Sequence, residues 1–183
     1  MTETVSRNRY DLTAQALHWA TAVAIIGAFV LIQVLDGMPK GPERSAMMGL
    51  HKSLGVLALA LVVARAAWRH VSAPPSSPAM PAWMEAASRW AHVALYALML
   101  LVPLAGMVMS WSAGRPVAVF GLFTLPDLLP PNPAVKDAAG EVHEVLGNLI
   151  LILAGLHAGA ALFHQYVLKD GVLTRMLPWR ARV

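Results

Sequence analysis

The 183 residues are 57% hydrophobic and 13% charged, with a mean hydropathy of +0.57, too apolar for an ordinary soluble domain and apt for a membrane protein. Cysteine is absent, which excludes disulfides, thiolate-held iron–sulfur clusters, covalent c-type haem attachment and cysteine zinc sites; any metal chemistry falls to histidine, carboxylate or methionine. The net charge of +4 does not argue for nucleic acid, because membrane proteins gather Lys and Arg on cytoplasmic loops and no basic stripe is interleaved with aromatics.

In chain order, a polar start with Arg7 and Arg9 leads into an apolar run over Ala16 to Leu35. That run is too long for a signal-peptide core and lacks a small-x-small site after it, so it reads as a retained first span over about 14–35. It carries His18 just inside its start, followed by Trp19. Asp36 to Arg44 is a Gly/Pro turn. A second span over about 45–69 has His51 and Lys52 near one end and Arg65 near the other, both cations placed to snorkel toward headgroups. After a Pro/Ser-rich loop from His70 to Pro81, a third span covers about 83–111, with His92 near its start and Pro103 inside it as an expected kink. Ser112 to Lys136 mixes aromatics, leucines and prolines and reads as a segment lying in the interface, over whatever is beneath it. A fourth span covers about 141–168, and a short basic tail closes the chain.

The fold expected is an all-α membrane protein, one four-helix transmembrane domain over residues 1–183. An even number of spans puts both termini on one side. Nine of the 14 Lys and Arg fall with the termini and the second loop, against five opposite, so that side is expected to be cytoplasmic.

This topology sorts the histidines by depth. His143 and His157 lie fourteen positions apart on the fourth span, which places them about 40° from a common azimuth and about 21 Å apart along the axis. His51 and His143 each begin a span entering from the far side and form the pair at that level; His157 lies near the cytoplasmic side with His18 and His92. Two neutral imidazoles on opposite faces of an iron porphyrin give a six-coordinate haem that passes electrons and binds no oxygen. The pattern therefore points to two b haems, one on His51 and His143, the other on His157 with either His18 or His92. Intramembrane histidines mark functional sites by default. Gly49, Gly55, Gly106, Gly147, Gly155 and Gly159 allow close approach of a flat ligand or a neighbouring backbone. His70 reads as a polar helix end, the methionines as packing, and His143-Glu144 is no zinc motif because Gly147 stands where the second histidine is required.

The runs RYDLTAQALHW, GLHKSLG, WAHVALYALMLLVPLAGMVMS, VHEVLGN and LHAGAALFHQYVLKDGVLTRMLP together resemble the bacterial cytochrome b561 family over nearly the whole chain. The resemblance implies a four-helix bundle with two haem b, an inner-membrane location and electron exchange with the quinone pool. It implies His18, His51, His143 and His157 as axial ligands, in the pairs His18/His157 and His51/His143, and places His164 where quinone is handled. His92 also matches a recurring histidine. The activity it suggests is superoxide oxidation at the periplasmic face with ubiquinone reduction, while FTLPDLLPPNPAVKD has no match that would locate donor-site residues.

On this reading Arg44, Lys52, Arg115 and Lys136 are placed to steer an anion such as superoxide. His164 lies seven positions beyond His157, about 20° off its face and about 10 Å nearer the cytoplasm, within reach of a quinone as hydrogen bonder or proton donor. Partners are the bilayer, quinone and a one-electron donor, with no nucleic acid, for a monomer or homodimer. The rival readings are a non-catalytic cytochrome b subunit relaying electrons from a docked dehydrogenase, and a haem-free histidine transporter.

Overall fold

The computed structural model describes residues 9–178; Arg7, Arg180 and Arg182, used in the charge count, lie outside the described residues. Four long helices make up nearly all of it: α1 Leu12–Asp36, α2 Pro42–Val71, α3 Ala82–Ser112 and α4 Pro133–Phe163. Each holds an 18-residue window with hydropathy between 1.8 and 2.1, and no more than 17% of any such window is buried inside the protein. Val23, Ile26, Ile152 and Leu156, for example, are all more than half exposed. Helices of this length whose apolar side chains face outward are solvated by lipid, where every backbone group must be satisfied within the helix.

The helix starts follow from local chemistry. Asp11 caps α1, its carboxylate accepting from the Ala14 N–H at 2.9 Å, and the same carboxylate accepts from Trp68 Nε1 at 3.0 Å and Ser72 Oγ at 2.7 Å. One acid thus joins the start of α1 to the end of α2. Burial alone would raise the Asp11 pKa, but these donors outweigh it and hold the carboxyl below its ordinary value. At the other end of α1, Arg44 donates to the Leu35 and Met38 carbonyls and satisfies orphan groups of the helix terminus.

The fourth helix begins at Pro133 rather than near Glu141. Asn132 caps it through Oδ1 and Pro133 supplies a preset first position, a start signal that outweighs the polar run after it. The connection before it is also more ordered than an interfacial segment. It forms an antiparallel hairpin, β1 Val117–Val119 with β2 Phe123–Leu125, in the register Val117↔Leu125 and Val119↔Phe123. The end of α3 turns into it through Gly114, whose φ of 65° lets the Arg115 N–H reach back to the Ser110 carbonyl at 3.0 Å.

The hairpin is fastened to α2. Lys52 Nζ donates to Ser110 Oγ at 2.6 Å and to the Pro116 carbonyl at 3.1 Å, and the buried Ser53 Oγ accepts from the Phe120 N–H at 2.8 Å. Lys52 therefore does not extend to headgroups; acceptors brought by a distant loop hold it under the hairpin. Val117, 1% exposed, packs with Met107 and Trp111 into a small core beneath.

At the opposite end the C-terminal segment folds back under α1. Trp19 Nε1 donates to the Met176 carbonyl at 2.8 Å, and the Tyr10 N–H donates to the Arg175 carbonyl at 3.2 Å. The bundle is thus covered at one end by the hairpin and at the other by the tail. Between them, α1 packs on α2 and α3 on α4, with α2 and α3 joining the two pairs.

Candidate functional site

The histidines meet in pairs at two levels. His51 on α2 and His143 on α4 have ring centroids 6.1 Å apart. His18 on α1 and His157 on α4 have centroids 6.3 Å apart. Two imidazoles on opposite faces of one iron, at roughly 2.0–2.1 Å per nitrogen, have centroids about 6 Å apart, so both separations suit an iron between opposed rings. His92 on α3 also reaches His157, but at 5.2 Å, closer than two ligands on opposite faces of one haem iron stand, and its Nδ1 lies 2.6 Å from its own helix's Ser88 carbonyl. His70 sits in the exposed last turn of α2. Among the described residues no group of three or more His, Asp or Glu converges to hold a bare ion.

The helices that carry each pair, α1 with α4 and α2 with α4, are not the ones that pack closely together. A flat ligand needs that arrangement, with its ligands on opposed walls. At the hairpin-end pair the outer ring nitrogens are anchored: His51 Nδ1 lies 2.8 Å from the Ala28 carbonyl, and His143 Nδ1 lies 2.8 Å from the Val102 carbonyl. A carbonyl can only accept, so both rings carry Nδ1–H and turn Nε2, with its lone pair, to the interior. Gly106 makes the second anchor possible, because a Cβ there would stand 3.0 Å from both Cε1 and Nδ1 of His143. Of the other glycines singled out from the sequence, Gly49, Gly55, Gly147, Gly155 and Gly159 have no neighbour within 4 Å of a Cβ position. Surfaces without side chains at these points suit the broad face of a porphyrin. At the terminal-end pair, His18 Nδ1 is buried and has no partner among the described residues.

A model of the family "Prokaryotic cytochrome b561" matches residues 9–179. The chain belongs to that family. It is 35% identical to "Cytochrome b561 homolog 2" of Escherichia coli (strain K12), over 97% of this chain and 95% of the relative. It is 32% identical to "Cytochrome b561 homolog 1" of the same organism, over 94% and 99%. A protein of Yersinia pestis named "Probable superoxide oxidase CybB" is 29% identical over 93% and 96%. As a member of the cytochrome b561 family the chain is an integral membrane protein of transmembrane electron transfer that binds haem b.

This b561 member carries a further constellation beyond the pairs. Past Phe163 the helix widens into a single π turn, His164–Leu168, which Lys169 ends in the left-handed conformation at φ 55°. The turn brings Asp170 back onto His164, with Nδ1 to Oδ2 at 2.5 Å. Burial acts to raise the Asp170 pKa, but the hydrogen bond from His164, the Val172 N–H and the nearby Arg175 together depress it. The carboxylate is therefore ionised at neutral pH, accepts from Nδ1–H, and leaves Nε2 of His164 free to act. Asp170 escaped sequence reasoning because its partner lies across a turn. The turn signal Asp170-Gly171 six positions after His164 was the available hint.

The four cations expected to steer an anion differ in their surroundings. Arg44 caps α1 and Lys136 pairs with Asp137 at 2.6 Å. Lys52 and Arg115 lie near enough to act on each other electrostatically, under and beside the hairpin. The nearby cleft lined by Trp111, Asp127 and Leu128 contains a carboxylate and no cation, which does not suit an anion.

Proposed function

We propose that this protein carries electrons across the bacterial inner membrane through two bis-histidine b haems, one on His51 and His143 and one on His18 and His157, oxidising superoxide at the periplasmic face and reducing ubiquinone near the cytoplasmic one. The observation that carries the reading is the pair of imidazole separations, 6.1 Å and 6.3 Å, both involving α4. On the charge count the termini are cytoplasmic and the hairpin periplasmic. A haem bound by each pair supplies a one-electron iron couple with no coordination position left open. The residues around it do the rest. Lys52 and Arg115 make the hairpin end attractive to a small anion. The Ala28 and Val102 carbonyls fix the tautomer and orientation of the periplasmic-side ligands. His164, oriented by Asp170, presents Nε2 to a quinone oxygen as hydrogen-bond donor or proton source. The name of the Yersinia pestis relative supports the superoxide half of the reading.

Purified protein in ubiquinone-containing liposomes is expected to reduce the quinone when superoxide is generated outside, at a rate that falls with ionic strength because the attraction is screened. Inactivity of haem-replete protein in this assay overturns the superoxide reading. Asp170→Asn replaces an anionic acceptor by a neutral one and is expected to slow quinone reduction by about 100-fold, leaving haem reduction by superoxide unchanged. The sign of the pH dependence follows from the depressed Asp170 pKa: the contact to His164 is complete above the ordinary carboxylate value of 3.8 and is lost only as pH falls through the depressed value below it. Wild-type quinone reduction should therefore keep its dependence on Asp170 throughout the neutral range.

The second reading, a non-catalytic subunit relaying electrons from a docked dehydrogenase, draws on the hairpin tip, where Leu122 is 80% and Phe123 55% exposed. Co-purification of a large redox partner, with an isolated chain unable to use superoxide, would favour it.

A further inference from the structure

Arg65 lies on α2 fourteen positions beyond His51, the same interval that separates His143 from His157 on α4. Both intervals amount to about 21 Å of helix rise. Since α2 and α4 run in the same direction across the bundle, the face of α2 that presents His51 at the hairpin end presents Arg65 at the terminal end. The structure agrees with this placement. The Arg65 guanidinium carbon stands 5.5 Å from the centre of the Tyr96 ring on α3.

A cation inside a bundle is costly unless an anion and hydrogen-bond acceptors meet it. Among the described residues no Asp or Glu forms an ion pair with Arg65; the ion pairs present are Arg89–Glu85, Lys136–Asp137 and His164–Asp170. Asp11, the acid at this end of α1, is already occupied by Ala14, Trp68 and Ser72. Two neighbouring polar atoms are also buried without partners: the Tyr96 hydroxyl and His18 Nδ1. A guanidinium lacking an anion beside a hydroxyl lacking an acceptor is the donor set of a carboxylate site.

We propose that Arg65 and Tyr96 form a carboxylate-binding site for a propionate of the haem held by His18 and His157. This rests on the ligand pairing proposed above. Haem b carries two carboxylates on one edge, so a haem between α1 and α4 brings the required anion with it. The guanidinium fork suits a carboxylate better than the point charge of a lysine, and the Tyr96 hydroxyl adds a neutral donor. Arg65 has a second consequence, because a fixed positive charge beside a haem favours the form with one more electron. Arg65 is thus a positioning residue that also raises the reduction potential of one haem of the two.

Redox titration of the purified protein, followed by reduced-minus-oxidised spectra, tests the site. Arg65→Gln is expected to shift the reduced-to-oxidised ratio of one haem about tenfold toward the oxidised form, which for a one-electron couple is about 59 mV, and to leave the other haem unmoved. Arg65→Lys, which keeps the charge and loses the fork, should shift the same haem by less. Tyr96→Phe should move that haem alone, in the same direction. The affected haem must be the one that His157→Ala removes. Unchanged potentials in Arg65→Gln, or equal shifts in both haems, overturn the site while leaving the ligand pairs standing. Retention of both haems in His157→Ala overturns the ligand pairs instead. If Arg65→Gln assembles no haem, Arg65→Lys decides: a shift confined to one haem supports the site, and no shift overturns it.

Discussion

His143→Ala is expected to yield a protein with one b haem instead of two. The side chain faces His51 across 6.1 Å, and no other histidine of the described residues makes a ring contact with that pair. Its removal leaves His51 with no second imidazole, and a five-coordinate haem held by one ligand in a bundle is bound far more weakly. The pair at the terminal end shares the helix but lies about four turns away, so its haem should stay. Electron transfer across the membrane should stop, since half of the path is gone. His92→Ala is the informative contrast. Its ring is nearer to His157 than that of His18, at 5.2 Å against 6.3 Å, so a rule based on proximity would choose His92 as the ligand. The separation set by a shared metal chooses His18. His92→Ala should therefore retain both haems, and His18→Ala should lose one; the reverse result would reassign the pair. Haem content per chain after purification reads all three variants.

Gly106→Ala should damage the hairpin-end site without unfolding the protein. The added methyl would stand 3.0 Å from two ring atoms of His143, so the ring must give way by a few tenths of an ångström. The ring cannot swing away freely, because Nδ1 is tied to the Val102 carbonyl on α3, the helix of Gly106, at 2.8 Å. Either the helices separate, at a cost of about 1–3 kcal/mol as for other overpacked sites, or the anchor breaks. Loss of such an outer hydrogen bond typically costs about 10–100-fold in affinity for the metal group. Alanine also gains roughly 1 kcal/mol of helix propensity over glycine, so the thermal midpoint of the apoprotein should change little while haem occupancy at the His51/His143 site falls. Gly37→Ala, with nothing within 4 Å of the new methyl, serves as the control and should keep both haems. Full occupancy in Gly106→Ala would show that the close approach has no functional weight.

Much of the architecture can be read from the sequence, because lipid imposes few options on long apolar runs. The four spans could be located from hydropathy alone, and the interval between His143 and His157 follows from helix geometry before any coordinates. Depth sorting could not separate His18 from His92, since both begin helices at the same level; the resemblance to the b561 family favours His18, and the two candidates differ in ring separation from His157 by about an ångström. The hairpin was missed for a different reason. Strands of three residues, Val117–Val119 and Phe123–Leu125, are too short to show periodicity, and they are stabilised by Lys52 and Ser53 from a distant helix. The early start of α4 was available in Asn132-Pro133, a capping residue followed by proline, but was masked by the proline-rich run before it. The Asp170 contact to His164 and the lack of an acidic partner for Arg65 among the described residues belong to contacts across turns and between helices, which spacing along one helix does not encode.

The structure also changes the part assigned to the cations. Arg44, Lys52, Arg115 and Lys136 formed one group when read by side of the membrane. Their surroundings separate them into a helix cap, a hairpin fastener with its neighbour, and an exposed ion pair. Lys52 now joins two roles, since the hairpin it holds down lies over the site that its own neighbour His51 helps to build.

The central claim, two bis-histidine haems in one chain, is tested most directly by a pyridine haemochrome count against protein concentration, with a reduced-minus-oxidised spectrum of the same sample. The expected result is two b haems per chain, both six-coordinate and low-spin. One haem per chain, a five-coordinate high-spin haem, or the absence of a Soret band would contradict it.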